Sequence, residues 1–212
     1  MTQRQQLQRY VAARLRWLQT LPEHPRKAQL ADLRRGVGHA PGELPELWGV
    51  FLQGMPEELQ SRTGDPTWAE WAIYLVLTLY ALHQQAQTSP MHKEGEGLGK
   101  AARLLVPPGQ DPGESSIQKR FNMLATATQM PEISHHLRGM IQLLRANGIP
   151  LDYVQLACDL YDLQFPDAMP HVRLRWGQDF YHDTKEENTE NDVFPDHRKK
   201  RSIDYGTQTS VC

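Results

Sequence analysis

Nine histidines, two cysteines and a recurring set of arginines are the residues of this chain best suited to chemistry. The histidines raise the question of a metal. His135 and His136 are adjacent, so on a helix they point about 100° apart and do not share an ion easily. Neither H-E-x-x-H nor a His/carboxylate pair backed by a second ligand cluster occurs. His83 follows an apolar run and reads as a helix end, and His92 falls in a loop. Cys158 lies beside Ala157 on what reads as a buried helix face, where a free thiol packs like a small hydrophobe. Cys212 ends a polar segment, and neither cysteine belongs to a C-x-x-C pair. The dipeptide His182-Asp183 has the form of a metal phosphohydrolase dyad but lacks partner ligands on neighbouring helices. "GEGLGK" is glycine-rich without the spacing or the Ser/Thr of a phosphate loop, and reads as a flexible loop. G-x-S-x-G is absent. The expectation is no catalytic residue, no metal and no cofactor.

The basic residues form the clearer pattern. Arg34 and Arg35 close a helix in "LRRG", where positive charge also complements the helix dipole. Lys100 and Arg103 stand one turn apart in "LGKAARLL". Lys119 and Arg120 follow Ile117 in "IQKRF", with Phe121 and Leu124 on the core stripe. In "ISHHLRGMIQLLR", Ile133, Leu137, Met140, Ile141 and Leu144 form one face, and His135, Arg138, Gln142 and Arg145 form another. Arg173 and Arg175 flank Leu174 in "VRLRW". Any one of these reads as a solvated face. Their recurrence opposite apolar stripes, with Arg favoured over Lys, suits bidentate phosphate contacts.

Net charge does not exclude such contacts. Residues 183–212 hold five of the 23 basic and seven of the 25 acidic residues, which accounts for the whole formal charge of −2. The remainder is neutral and can still segregate its signs. No apolar run reaches the roughly 18–20 residues of a membrane span; the longest is "AIYLVLTLYAL" (72–82). "MTQRQQLQRY" lacks the apolar stretch of a signal peptide, so the expected location is the cytoplasm, away from membranes.

The elements that must position these residues are helical throughout. Stripes at three and four predict helices over 3–19 and 25–35, a short one around "LPELWGVFL", and a long one in "GDPTWAEWAIYLVLTLYALHQQ". Asp65 is the expected N-cap of the long helix and Pro66 its first residue. Its apolar circumference marks the centre of an N-terminal bundle. "VPPGQDPGE" (106–114) is the strongest break and predicts a domain boundary. Helices over 115–127, 132–146, 150–163 and 167–181 follow. The sequence thus predicts an all-α fold with two small helical domains, 1–105 and 115–182, the second a four-helix bundle. Trp71, Leu75, Leu79 and Leu82 are expected in the first core. Ile117, Phe121, Leu137, Ile141, Leu144, Val154, Tyr161 and Trp176 are expected in the second. Residues 183–212, with few apolar side chains, an acidic half and a basic knot, read as a disordered tail.

Five stretches in order, "AQLADLRRGVG", "WAIYLVLTLYALHQQ", "GLGKAARLL", "SIQKRFNMLATATQMPEISHHLRGMIQLLRANGIPLDY" and "VRLRWGQDFY", closely resemble the CasB family. That family is the small subunit of type I-E Cascade, an RNA-guided CRISPR surveillance complex of bacteria. The resemblance spans residues 5–182 and does not reach the tail. It implies two helical domains and no enzymatic activity. It also implies a head-to-tail pair of copies beside the backbone and large subunits, close to guide RNA and target DNA, with a basic face that holds opened DNA strands in the R-loop. Family contact positions map onto Arg34, Arg35, Lys100, Arg103, Lys119, Arg120, Arg138 and Arg145, and less firmly onto Arg173 and Arg175. Base pairing supplies sequence choice in such systems, so backbone contacts suffice. The competing reading is an assembly protein whose arginines meet acidic surfaces of other subunits.

Overall fold

The long apolar helix is the axis on which the others pack. The computed structural model describes residues 1–182, and the expected tail at 183–212 lies outside the described residues. Nine α-helices follow in order: α1 Gln3–Thr20, α2 Glu23–Arg35, α3 Trp48–Leu52, α4 Trp68–His83, α5 Leu98–Leu104, α6 Ser116–Thr126, α7 Met130–Ala146, α8 Tyr153–Asp162 and α9 Met169–Tyr181. Every residue from Ala72 to Ala81 of α4 is buried, because α1, α2, α3, α7 and α8 all pack on it. Among the described residues there is no strand, only an isolated bridge between His92 and Leu151. The all-α expectation holds.

Several boundaries differ from the sequence expectation, each for a local reason. α4 begins at Trp68, and its N-cap is Thr67 rather than Asp65. The Thr67 hydroxyl accepts from Glu70 N at 3.0 Å, and the Glu70 carboxylate accepts from Thr67 N at 2.7 Å and from Ser61 N at 3.2 Å. A reciprocal T-x-x-E box satisfies more orphan donors than Asp-Pro two residues earlier. α8 starts at Tyr153 and not at Pro150. Leu151 is held extended by bonds to Met91 O and from Lys93 N, and Asp152 caps the amides of Val154 and Gln155.

The two-part division also takes a different form. The segment 106–114 is the loop between α5 and α6, yet core residues on both sides of it belong to one continuous cluster. Residues Met1–His182 form one compact unit. The last four helices do not close on themselves as a separate bundle: α8 packs chiefly on α4 and α1, and α9 chiefly on α5. Leu75, Leu79, Phe121, Leu137, Ile141, Leu144, Tyr161 and Trp176 are buried as expected. Trp71, Leu82, Ile117 and Val154 are only partly buried and pack against the core from its margin.

Gly99 explains the tight α5–α9 pair. A Cβ there would stand 2.3 Å from the Trp176 carbonyl oxygen and 2.7 Å from Asp179 Cβ. The "GEGLGK" glycines are therefore not all loop: Gly97 is the N-cap of α5, and Gly99 lets two backbones meet.

Candidate nucleic-acid interface

Arg34 is set by the way α2 ends. Gly36 caps the helix, and its carbonyl accepts from the Tyr74 hydroxyl at 3.1 Å. A Cβ at Gly36 would lie 2.7 Å from both Tyr74 Oη and Leu47 Cδ1, so glycine allows the end of α2 to press on α4. Arg34 is then half-buried on the wall of a groove of about 490 Å³. Arg26, Gln19, Tyr80, Gln84 and Gln87 also line it, and no Asp or Glu does. Arg34 and Arg26 make no ion pair among the described residues.

Arg145 borders the next concavity, whose walls Gln85, Ala86 and Gln87 also belong to the first. The turn after α4 is clamped to the end of α7: Arg145 Nη1 donates to Gln85 Oε1, and Gln87 Nε2 donates to the Arg145 carbonyl, both at 2.8 Å. Ala86 adopts φ of 61° in this turn. Arg138, two turns earlier on α7, reaches the loop after α2; its Nη1 lies 3.9 Å from the position of a Cβ on Gly38. Arg34 of α2 is far in sequence from Arg138 and Arg145 of α7, yet Arg138 reaches the loop after α2 and Arg145 the turn after α4 whose residues line the Arg34 groove.

The other expected residues are disposed differently. Arg35 pairs with Asp32 at 2.7 Å and approaches Glu46 at 4.0 Å. Lys100 pairs with Glu96 at 3.4 Å, which Lys93 also meets at 3.0 Å. Burial pushes the Glu96 carboxyl up, but the two lysines outweigh it and hold it below its ordinary value. Arg103 is half-buried, Lys119 and Arg120 are exposed, and none of the three lines the groove. Arg173 donates to the Ala127 carbonyl at 3.3 Å and so serves the end of α6. Arg175 bonds to Asp159, a buried carboxylate that also accepts from Trp176 Nε1 at 2.7 Å and Gln155 Nε2 at 2.6 Å. Burial pushes the Asp159 carboxyl up against these donors. Arg173 and Arg175 are thus engaged inside the fold.

The histidines and Cys158 also have local roles. His39 meets Glu43 at 2.8 Å, and His136 approaches Glu132 at 3.9 Å. His83 does more than end α4: it is buried against Tyr153. Cys158 is buried, and burial raises its thiol to about 11, far from a nucleophile's range. Among the described residues no group of three or more His, Cys, Asp or Glu is placed to hold a metal, and no helix is long and apolar enough to cross a membrane.

Sequence reading missed Arg26 and the glutamines of the groove. Arg26 stands eight residues before Arg34, a spacing that returns to the same helix face and could have signalled it. Gln84, Gln85 and Gln87 carry no periodic signal, because a turn and not a helix aligns them.

The fold and the groove define a small all-α protein with a basic concavity and no acidic side chain in its lining. The family model of CRISPR-associated protein Cse2 matches residues 29–181. The crystal structure of CasB from Thermobifida fusca is similar at 34% identity, with a TM-score of 0.71 over 84% of this chain and 98% of that one. That of M. ruber CasB is similar at 26% identity, with a TM-score of 0.59 over 80% and 90%. A comparison with curated proteins finds no match. The chain belongs to the Cse2 (CasB) family of CRISPR Cascade subunits.

Proposed function

We propose that this subunit is non-catalytic and uses the groove around Arg34, Arg138 and Arg145 to hold the nucleic-acid backbone of opened target DNA, stabilising the R-loop. In this reading two copies lie head to tail in type I-E Cascade, in the cytoplasm, beside the backbone and large subunits and the guide RNA. The observation that carries it is the groove lining: arginines and amides from α2, the turn after α4 and α7 meet there with no carboxylate among them. Guanidinium groups bind phosphate by charge and fork geometry without reading bases, which suits a subunit whose complex takes its sequence choice from a guide. Arg103, Lys119 and Arg120 are free of ion pairs among the described residues and remain candidates on a second patch over α5 and α6.

One observation favours the assembly reading for that second patch. Leu104, Met123, Leu174 and Tyr181, on α5, α6 and α9, are each about half exposed, a composition suited to protein contact. The test is made in assembled Cascade carrying Arg34→Glu, Arg138→Glu and Arg145→Glu. The expected result is weakened binding of target duplex with guide RNA and the subunit both retained. Ejection of the subunit would favour assembly contacts, and unchanged target binding would remove the groove from the account.

A further inference from the structure

We infer that α1 extends the groove into a longer track for one nucleic-acid strand, with Arg9 and Arg16 as two further phosphate contacts. This rests on the reading of the groove above and adds a wall to it. The Cse2 family model begins at residue 29, so α1 lies outside the stretch that this model describes.

A second concavity, of about 530 Å³, is bordered by Arg9, Ala12, Arg16 and Gln19 of α1. Gln19 also lines the groove that holds Arg26 and Arg34, so the two concavities meet at the last turn of α1. Arg9 and Arg16 are seven residues apart, on one face and about 10 Å apart along the axis. Both are exposed, and neither has an ion pair among the described residues. The other arginines of α1 differ: Arg4 pairs with Asp162 at 2.8 Å, and Arg14 donates to the Gly49 carbonyl and to Tyr10 Oη. The helix thus spends two arginines on the fold and leaves two on the concave side.

Charge and size fit one backbone. The lining from Arg9 to Arg34 is mostly basic or amide, and a volume near 490 Å³, a cube about 8 Å on edge, gives room for one phosphate backbone at a time. Two carboxylates border the far concavity, Asp152 and Glu94. Both oxygens of Asp152 are taken by the amides of Gly95, Val154 and Gln155. Glu94 is exposed and marks the end of the track.

The test uses the isolated full chain and fluorescein-labelled oligothymidine, with affinity followed over about 50–200 mM salt. Circular dichroism first confirms that each variant is folded. Arg9→Gln with Arg16→Gln should lower the slope of log affinity against log salt by about 1.4, two single-strand phosphates. Arg26→Gln with Arg34→Gln should lower it by a similar amount. Glu94→Gln should tighten binding. If the α1 pair keeps the wild-type slope while the α2 pair loses it, the extension is overturned and the groove stands. If neither pair changes the slope, both readings fall.

Discussion

His83 Nδ1 lies 2.8 Å from the hydroxyl oxygen of Tyr153, and neither side chain reaches solvent. The pair ties the end of α4 to the start of α8. Burial lowers His83 to about 4; the Ile149 carbonyl pulls it up, and Arg145 adds to the lowering. An unfolded histidine titrates near 6.5. The folded value is the lower one, so the stability linked to neutral His83 is complete above about pH 6.5 and lost as pH falls toward 4. Its full size is on the order of 3 kcal/mol. Thermal melts across that window should fall more steeply for the native chain than for His83→Gln. Parallel curves would contradict the burial of His83.

Arg175 should behave as a residue of the fold. Asp159 is buried, while Arg175 is 40% exposed. Arg175→Gln leaves a buried carboxylate short of a donor and should cost about 2–3 kcal/mol near neutral pH, a figure discounted from a fully buried pair for that exposure. The Asp159 carboxyl is already raised and would rise further. The penalty belongs to its ionised form, so the deficit should shrink as pH falls through the raised value. Oligothymidine binding of the folded variant should keep its salt slope. An unchanged melting temperature, or a reduced slope, would return Arg175 to the phosphate contacts.

Gly99 offers a packing test separate from the groove. Gly99→Ala places a methyl against the Trp176 carbonyl, which is backbone and yields little. Parting α5 from α9 should cost about 1–3 kcal/mol. The groove on α1, α2 and α4 should bind as before. A variant as stable as the native chain would mean that the two helices do not meet this closely.

The helices were legible because each carries an apolar stripe or a capping signal, and α4 is apolar all round. Its exact start was not legible, because Asp65-Pro66 and Thr67-x-x-Glu70 compete within a few residues, and the reciprocal Thr67/Glu70 box gains a further bond from Ser61 N that sequence does not announce. The single core was hidden for a different reason. "VPPGQDPGE" breaks the helical pattern as strongly as a linker does, but whether a break separates cores depends on contacts across it, here α4 with α7 and α8. Arg34, Arg138 and Arg145 could be picked out one by one from their helix faces. That Arg34 and Arg145 border adjoining concavities follows from the shared turn at Gln85–Gln87, which sequence periodicity does not describe. Arg173 and Arg175 show the converse, since an arginine written on a polar face can still turn to a carbonyl or a buried carboxylate.

The central claim is that nucleic acid occupies the groove, and Gln85 is the position from which to ask. It is exposed and borders both the Arg34 and Arg145 concavities. A photoreactive phenylalanine analogue replacing Gln85, in assembled Cascade bound to labelled target, reports directly what lies there on illumination. The account predicts a crosslink to a DNA strand that forms only after target is added. A crosslink to another protein subunit, present with or without target, would contradict it.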